Sequence, residues 1–280
     1  MAVADAKSQA GMRVRWRPGW PALFVSLVAG SLAIFSLFPG SLEGKSLAVL
    51  HGLCAQQPTH SYYLGEARLP FDARMTGIYS GFALTCAYLL ARGRWRAANL
   101  TQLRVVILLG LLILPLAVDG VNSFLKDIEL PYLYEPRNLL RTFTGLLLGT
   151  SLASFVWLLV GQTAFRPTEK SGQPIWTGIG DVLLAIGLQL SLLVVVSTSW
   201  APARVPLTYL LLLSATAAIT GLLLPFVLLA ARRECAARDA RELAAPASLA
   251  YLAALLLIGF LAGGRFLLEA LLDLPAQVPA

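Results

Sequence analysis

The sequence predicts an all-α membrane protein, a polytopic bundle of about seven transmembrane helices. Of 280 residues, 57% are hydrophobic and only 13% are charged, and the mean hydropathy is +0.71. Soluble domains have about 45–50% apolar and about 25% charged residues. The apolar runs are long, unbroken and rich in Leu and Ala, whereas barrel strands are about 10 residues long and alternate in polarity. Because lipid offers the backbone no hydrogen bonds, such runs must be helices.

Seven apolar runs define the predicted helices. The run at 20–38 is too long for a signal-peptide core, and no small-residue cleavage site follows it, so it is predicted to be a retained helix. The next two runs, 75–91 and 103–118, are close to the lower limit of about 17 residues for a span. The remaining runs cover 142–161, 179–197, 208–231 and 248–272.

The basic residues predict an orientation with the N-terminus inside and the C-terminus outside. Net charge is +7, and the arginines are concentrated in the linkers 92–104 and 232–242, while the opposite linkers are acidic or mixed. Cytoplasmic loops carry such an excess of Lys and Arg. Membrane topology therefore accounts for the charge, and we predict no nucleic-acid partner.

This topology divides the chain into three parts. Residues 1–19 form a basic cytoplasmic segment, 20–163 a membrane core of four helices, and 164–280 three additional transmembrane helices. The linker 40–74 is long, and its apolar stretch at 47–53 is too short to span, so we predict an interfacial or re-entrant segment on the outer side. The three cysteines fall at different depths in this topology, so no disulfide is expected.

Unusual polar residues fall mainly on the outer side. Asp119 and Asn122 follow the third apolar run and lie three residues apart. Ionisable residues at such depths are costly unless they have partners. Either Asp119 pairs with Arg74 or Arg141 and caps a short helix in the outer loop, or it belongs to a ligand site.

Two arginines at the start of the fourth helix allow two interpretations. Arg137 and Arg141 are one turn apart. Guanidinium groups suit phosphate, such as a lipid headgroup or an isoprenoid phosphate, but long basic side chains also anchor helices by snorkelling to the interface. The complete set of candidate ligand-binding residues is Arg74, Tyr79, Asp119, Asn122, Arg137, Arg141 and Thr144.

A metal site has weaker support. His51 and Cys54 would share a helix face, and His60 and Asp72 add two further candidate zinc ligands, but the spacing matches no standard site. The favoured interpretation is polar interfacial residues bonded to backbone and water. We therefore predict no cofactor, with zinc as the alternative. The sequence also contains no Walker loop, HExxH or GxSxG motif.

Several polar and small residues predict helix packing. Gln189 lies near mid-membrane and should bond to another helix, and Arg265 and Glu269, four apart, should form an ion pair. Pairs of glycines four apart allow helix backbones to approach closely. These pairs are Gly77 and Gly81, Gly145 and Gly149, and Gly259 and Gly263.

Part of the chain resembles a known family. It reads HGLCAQQPTHS over 51–61 and LPFDARMTGIYSG over 69–81, followed by Asp119-Gly120 and by RTFTG over 141–145. In order and spacing, these motifs resemble the DUF2085 family of predicted bacterial and archaeal membrane proteins. The resemblance covers about 47–149, so the last three helices lie outside it. It implies a membrane architecture and little about mechanism.

The departures from the family pattern concern its cysteines and histidines. Ala55 stands where the family has His, and His60 where it has Arg. Asp72 and Met75 stand where the family has two cysteines. If those residues bind metal or do redox work in the family, the resemblance implies that this chain has lost most of that set.

The favoured function is a non-catalytic subunit, or a protein that binds lipid or a partner in a polar outer pocket. Its partners would be membrane lipids or other membrane subunits, in a bacterial or archaeal plasma membrane. One alternative is an enzyme acting on a lipid or isoprenoid phosphate, with Asp119 or Asp72 as general acid or base. A second alternative is a transporter, although the sequence shows no inverted repeat.

Overall fold

The computed structural model describes residues 19–99, 102–167 and 172–274. Residues 1–18 of the predicted basic segment therefore lie outside the described residues. The helices are α1 Trp20–Leu37, α2 Leu42–Val49, α3 Ala73–Ala91, α4 Leu103–Leu111, α5 Leu114–Asp127, α6 Asn138–Ala164, α7 Ile179–Ser197, α8 Arg204–Ala230 and α9 Ala244–Leu271. Two strands, β1 Ser61–Leu64 and β2 Ala67–Asp72, pair in an antiparallel hairpin.

Most of the described helices have the character of membrane spans. Six helical segments are long and apolar enough to cross a membrane, and they contain α1, α4 with α5, α6, α7, α8 and α9. The predicted all-α, polytopic membrane bundle is therefore confirmed. Helix α3 has 19 residues, about 28 Å, which is also long enough, but buried polar residues such as Thr76, Ser80 and Thr85 lower its hydropathy.

The packing of α3 against α6 supports a seventh span. A Cβ added to Gly77 would lie 2.2 Å from the carbonyl oxygen of Thr142, and one added to Gly81 would lie 2.7 Å from that of Leu146. Residue numbers rise together along both helices, so α3 and α6 run parallel in close contact. Because α6 is long enough to cross the membrane, we expect α3 to cross beside it, and the total of seven stays a prediction.

The linkers gather at two ends of the bundle. At one end, Arg94 Nη1 donates to the Pro174 carbonyl (3.1 Å) and Arg166 Nε to that of Ala236 (2.9 Å). These contacts join three linkers on the predicted cytoplasmic side, 92–104, 164–177 and 232–242. We call the other end, where α3 and α6 begin, the outer end, following the predicted orientation.

The outer segment 40–74 contains more than the predicted interfacial or re-entrant element. Its short helix α2 is followed by the hairpin of β1 and β2, which was not predicted from the sequence. The strands have only four and six residues, too few for a clear alternating pattern. Gly65, with φ of +68°, occupies the tight turn between Leu64 and Ala67, and β2 is almost entirely buried.

Other packing predictions had mixed outcomes. Gln189 bonds to other helices as predicted, because its Nε2 donates to Thr85 Oγ1 (2.9 Å) and its Oε1 accepts from Thr150 Oγ1 (3.2 Å). The prediction was wrong for Gly259 and Gly263, since a Cβ at either would meet no atom of another described element within 4 Å. A spacing of four residues places two glycines on the same face of their helix, but it does not determine whether another helix packs against that face.

Substitution of Gly77 by Ala should destabilise the bundle by about 3 kcal/mol, because the new methyl group overlaps the backbone of α6. The matched control is Gly259→Ala, which adds the same methyl group to an open face and should leave stability unchanged or slightly raised. Equilibrium unfolding in mixed detergent micelles measures both variants. Equal effects would contradict the assigned interface.

The predicted orientation can be tested with the native cysteines. Cys235 is exposed in the linker after α8, whereas Cys54 is buried and Cys86 is partly buried in α3. A membrane-impermeant maleimide should therefore label Cys235 only after cells are permeabilised. Cys235→Ser provides the control for specificity, and labelling of Cys235 in intact cells would invert the topology.

Candidate functional site at the outer end

A buried ion pair lies at the centre of the outer end. Asp119, in α5, is fully buried (0% exposed). Its Oδ2 accepts a hydrogen bond from Arg74 Nη2 at 2.7 Å, and its Oδ1 accepts one from the Tyr134 hydroxyl at 3.1 Å. Arg74 Nη2 also lies 3.2 Å from Ser123 Oγ. The predicted Asp–Arg pair is confirmed, and of the two candidate arginines Arg74 is the partner.

The location of Asp119 within its helix corrects the prediction. Asp119 does not cap a short helix in the outer loop, because α5 continues from Leu114 to Asp127 and contains it. The apolar run ends at Val118, but the helix extends further since its polar residues have partners. Asn122 is one of them: its Oδ1 accepts from the backbone N–H of Leu133, and its Nδ2 donates to the Tyr134 carbonyl. Asn122 thereby holds the loop 128–137, between α5 and α6, against α5.

Arg141, in the first turns of α6, has a different environment. It is only 6% exposed, and it donates to Asn138 Oδ1 at 3.0 Å and to His60 Nε2 at 3.2 Å. Among the residues that the structure describes, no carboxylate lies within salt-bridge distance of it. Its guanidinium group is therefore buried against neutral partners.

His60 is neutral in this arrangement. Its Nε2 accepts the hydrogen bond from Arg141 and therefore carries no proton. Burial lowers the pKa of His60 below its usual value, and the charge of Arg141 lowers it further, while Asp127, 3.8 Å away, acts in the opposite direction. At neutral pH, His60 thus contributes a lone pair to Arg141 and no negative charge.

The start of α6 adds to the positive potential around Arg141. Arg137 is the N-cap residue and exposed, and its side chain does not cap the helix. The first amide groups of a helix carry a partial positive charge that favours anions. Arg74 also repels Arg141, whereas Asp119, Asp127 and Asp72 attract it only from beyond salt-bridge distance.

Two other candidate ligand residues have roles in packing. Tyr79 is nearly buried and stacks on Phe71, with ring centroids 4.8 Å apart. Thr144 is buried and its hydroxyl donates to the carbonyl of Arg141. Of the candidate ligand residues in the described structure, the charged side chains that are buried are therefore Asp119 and Arg141, and Arg74 is partly exposed.

Asp72 and Cys54 form a second polar contact. Asp72 caps α3, because its Oδ1 accepts from the Met75 backbone N–H at 2.9 Å, while its Oδ2 accepts from Cys54 Sγ at 3.2 Å. Burial raises the pKa of Cys54 to about 12, and the charge of Asp72 acts in the same direction. Cys54 is therefore a protonated thiol at neutral pH and a poor nucleophile.

The four candidate metal ligands are not brought together. Cys54 and Asp72 are in contact, but His51 bonds to Gln56 and Glu269, and His60 bonds to Arg141. Over the described ranges, no group of three or more His, Cys, Asp or Glu residues could hold a metal ion.

Some partners at the outer end were not predicted from the sequence. Tyr134 completes the shell of Asp119, and Glu269 reaches His51 across more than 200 residues of chain. The predicted pair of Arg265 and Glu269 is confirmed, with Arg265 Nε 2.8 Å from Glu269 Oε1. The sequence indicated only that these residues lie at a similar depth at the outer side of the membrane. A similar depth does not determine which side chains are in contact.

The comparison with known families agrees with this architecture. Residues 54–155 match the model of a family described as a predicted membrane protein, DUF2085. We call residues 54–155 the DUF2085 region. The match contains Arg74, Asp119 and Arg141, whereas His51 and all of α7–α9 lie outside it. No match to the chain was found among the curated proteins or the solved structures.

Replacement of Asp119 by Ala should destabilise the protein by about 3 kcal/mol, because it leaves Arg74 without its buried partner. The matched control is Asp127→Ala in the same helix, whose side chain is 43% exposed and whose carboxylate lies 3.8 Å from His60. That change should cost less than about 1 kcal/mol. Thermal unfolding in detergent compares the two, and similar costs would contradict a central role for the Asp119 pair.

Proposed function

We propose that the protein is a non-catalytic, multi-pass membrane subunit that binds the phosphate of a lipid headgroup at its outer end. Arg141 would be the main ligand, with Arg74 and Arg137 contributing positive potential. The observation that carries the proposal is the burial of the Arg141 guanidinium without a carboxylate partner among the described residues. We further propose that it resides in a bacterial or archaeal plasma membrane.

The energetic argument concerns the cost of a buried charge. A charged group removed from water is expensive unless an opposite charge compensates it. Asn138 and neutral His60 provide hydrogen-bond acceptors but no charge, and the carboxylate of Asp119 is already engaged by Arg74. An external anion would supply the missing charge, and phosphate matches the fork of a guanidinium group.

The surroundings of Arg141 favour a lipid as the source of the phosphate. Leu139 and Leu140, its neighbours in α6, are exposed apolar side chains. In a membrane, acyl chains would cover them while the headgroup lies at the beginning of α6. A phosphate at this position would also face the positive end of the helix dipole.

The enzyme alternative has less support. Its candidate acid or base groups, Asp119 and Asp72, both have intramolecular partners for their carboxylate oxygens. The transporter alternative also has less support. Gln189, which was predicted to lie near mid-membrane, hydrogen-bonds to Thr85 and Thr150, and these polar side chains therefore contribute to helix packing.

The test compares phosphatidic acid with a diacylglycerol of the same acyl chains, since the two differ only in the phosphate. Native mass spectrometry of the detergent-purified protein should show phosphatidic acid bound at least about tenfold more tightly. Arg141→Gln should remove most of this preference. Arg204→Gln, which changes an arginine at the start of α8 at the same end, should retain it.

Two outcomes would contradict the proposal. One is equal binding of both lipids by the wild-type protein, and the other is an unchanged preference in Arg141→Gln. Competition with inorganic phosphate identifies the source of the anion. A lipid site should lose little phosphatidic acid to phosphate at the same concentration, whereas complete displacement would indicate a site for the free ion.

A further inference from the structure

A fully buried histidine joins the outer segment to the last helix. His51 is 0% exposed, its Nδ1 lies 2.9 Å from Gln56 Oε1, and its Nε2 lies 2.7 Å from Glu269 Oε2. Its ring also stacks on Phe266 of α9, with centroids 4.3 Å apart. Both ring nitrogens therefore have specific partners, and the nature of these partners determines the protonation state of the ring.

The partner of Nδ1 must accept a hydrogen bond. The Nε2 of Gln56 donates to the carbonyls of Leu47 (2.9 Å) and Pro70 (3.0 Å). If the amide were flipped, its oxygen would face these two carbonyl acceptors, which is unfavourable. The amide therefore has one orientation, in which Oε1 faces the His51 ring. Since Oε1 has no hydrogen to donate, Nδ1 of His51 carries a proton.

The partner of Nε2 is an acceptor as well. Glu269 Oε1 accepts from Arg265 Nε at 2.8 Å, which favours an ionised carboxylate. An unprotonated Nε2 would place its lone pair 2.7 Å from the lone pairs of Oε2, which is repulsive. With a proton on Nε2, the same distance becomes a charge-assisted hydrogen bond.

We propose that His51 is a buried proton-binding site, held as a doubly protonated imidazolium by Gln56 and Glu269. The bound proton fastens α9 to the outer segment, so α9 docks most tightly when His51 is charged. This inference goes beyond the proposed lipid site, because it concerns different residues, and His51 and Glu269 both lie outside the DUF2085 region.

The neighbouring charges are consistent with a charged ring. Arg265 donates to the carbonyls of His51, Cys54 and Ala55, and to Glu269. Arg68 of β2 donates to the carbonyl of Gln56. The thiol of Cys54 is protonated, as described above, so among these groups Glu269 supplies the negative charge.

The first test reads the ring directly. The chain has only two histidines, so a protein labelled with ¹⁵N-histidine gives NMR signals from His51 and His60 alone. At neutral pH, His51 should show two protonated nitrogens and His60 one, and His60→Gln assigns the spectrum by removing the second set. An unprotonated nitrogen on His51 at neutral pH would overturn the proposal.

The second test separates the proton from the fold. In Glu269→Gln, the amide oxygen can still accept from Arg265, and its NH₂ group can donate to a neutral His51. Alkaline pH removes the proposed proton, so the melting temperature of the wild type in detergent should fall by about 3 °C or more between neutral and alkaline pH. The variant should fold and lose this pH dependence, and identical pH profiles for both proteins would overturn the proposal.

Discussion

The close parallel contact of α3 with α6 is the constraint on which the rest of the outer end depends. At Gly77, Gly81, Gly145 and Gly149 the two backbones are so near that a single Cβ would collide. Helices in lipid gain little from burying apolar surface against each other, so contact between small residues is an effective source of packing energy. This contact places Arg74, in the first turn of α3, at the same end as Arg141, in the first turns of α6.

The treatment of charge differs between the two arginines. Arg74 meets a fully buried carboxylate and a tyrosine hydroxyl completes the shell of that carboxylate, so this part of the site is electrically balanced within the chain. Arg141 meets an amide and a neutral imidazole. An ion pair that is complete within the protein is well suited to hold α3 against α5, whereas a guanidinium group without a carboxylate is suited to receive an anion.

The helices beyond the DUF2085 region complete the same bundle. Gly52 of the outer segment lies directly against the backbone of α9, since a Cβ there would be 2.3 Å from the Leu261 carbonyl carbon. The contact between His51 and Glu269 adds a polar connection at the same junction. Helix α8 joins the core of α3 and α6, where Ala153, Leu211 and Ala215 are buried together. The outer segment is therefore supported from both parts of the chain.

The sequence by itself determined the class of protein, the approximate helix positions and the separation of the linkers into two groups. Composition, run length and arginine position are local properties that the membrane imposes directly. It also placed Asp119, Arg74 and Arg141 among the candidate site residues, although it left two partners open for Asp119.

Only the tertiary structure decided which glycine pairs form an interface, that α5 continues through Asp119, and that Glu269 meets His51. The hairpin β1–β2 also emerged only there, because its strands are shorter than a recognisable alternation. The physical reason is common to these cases. Spacing along a helix fixes which residues share a face, but the neighbour of that face depends on how all helices pack together, and no local pattern encodes that choice.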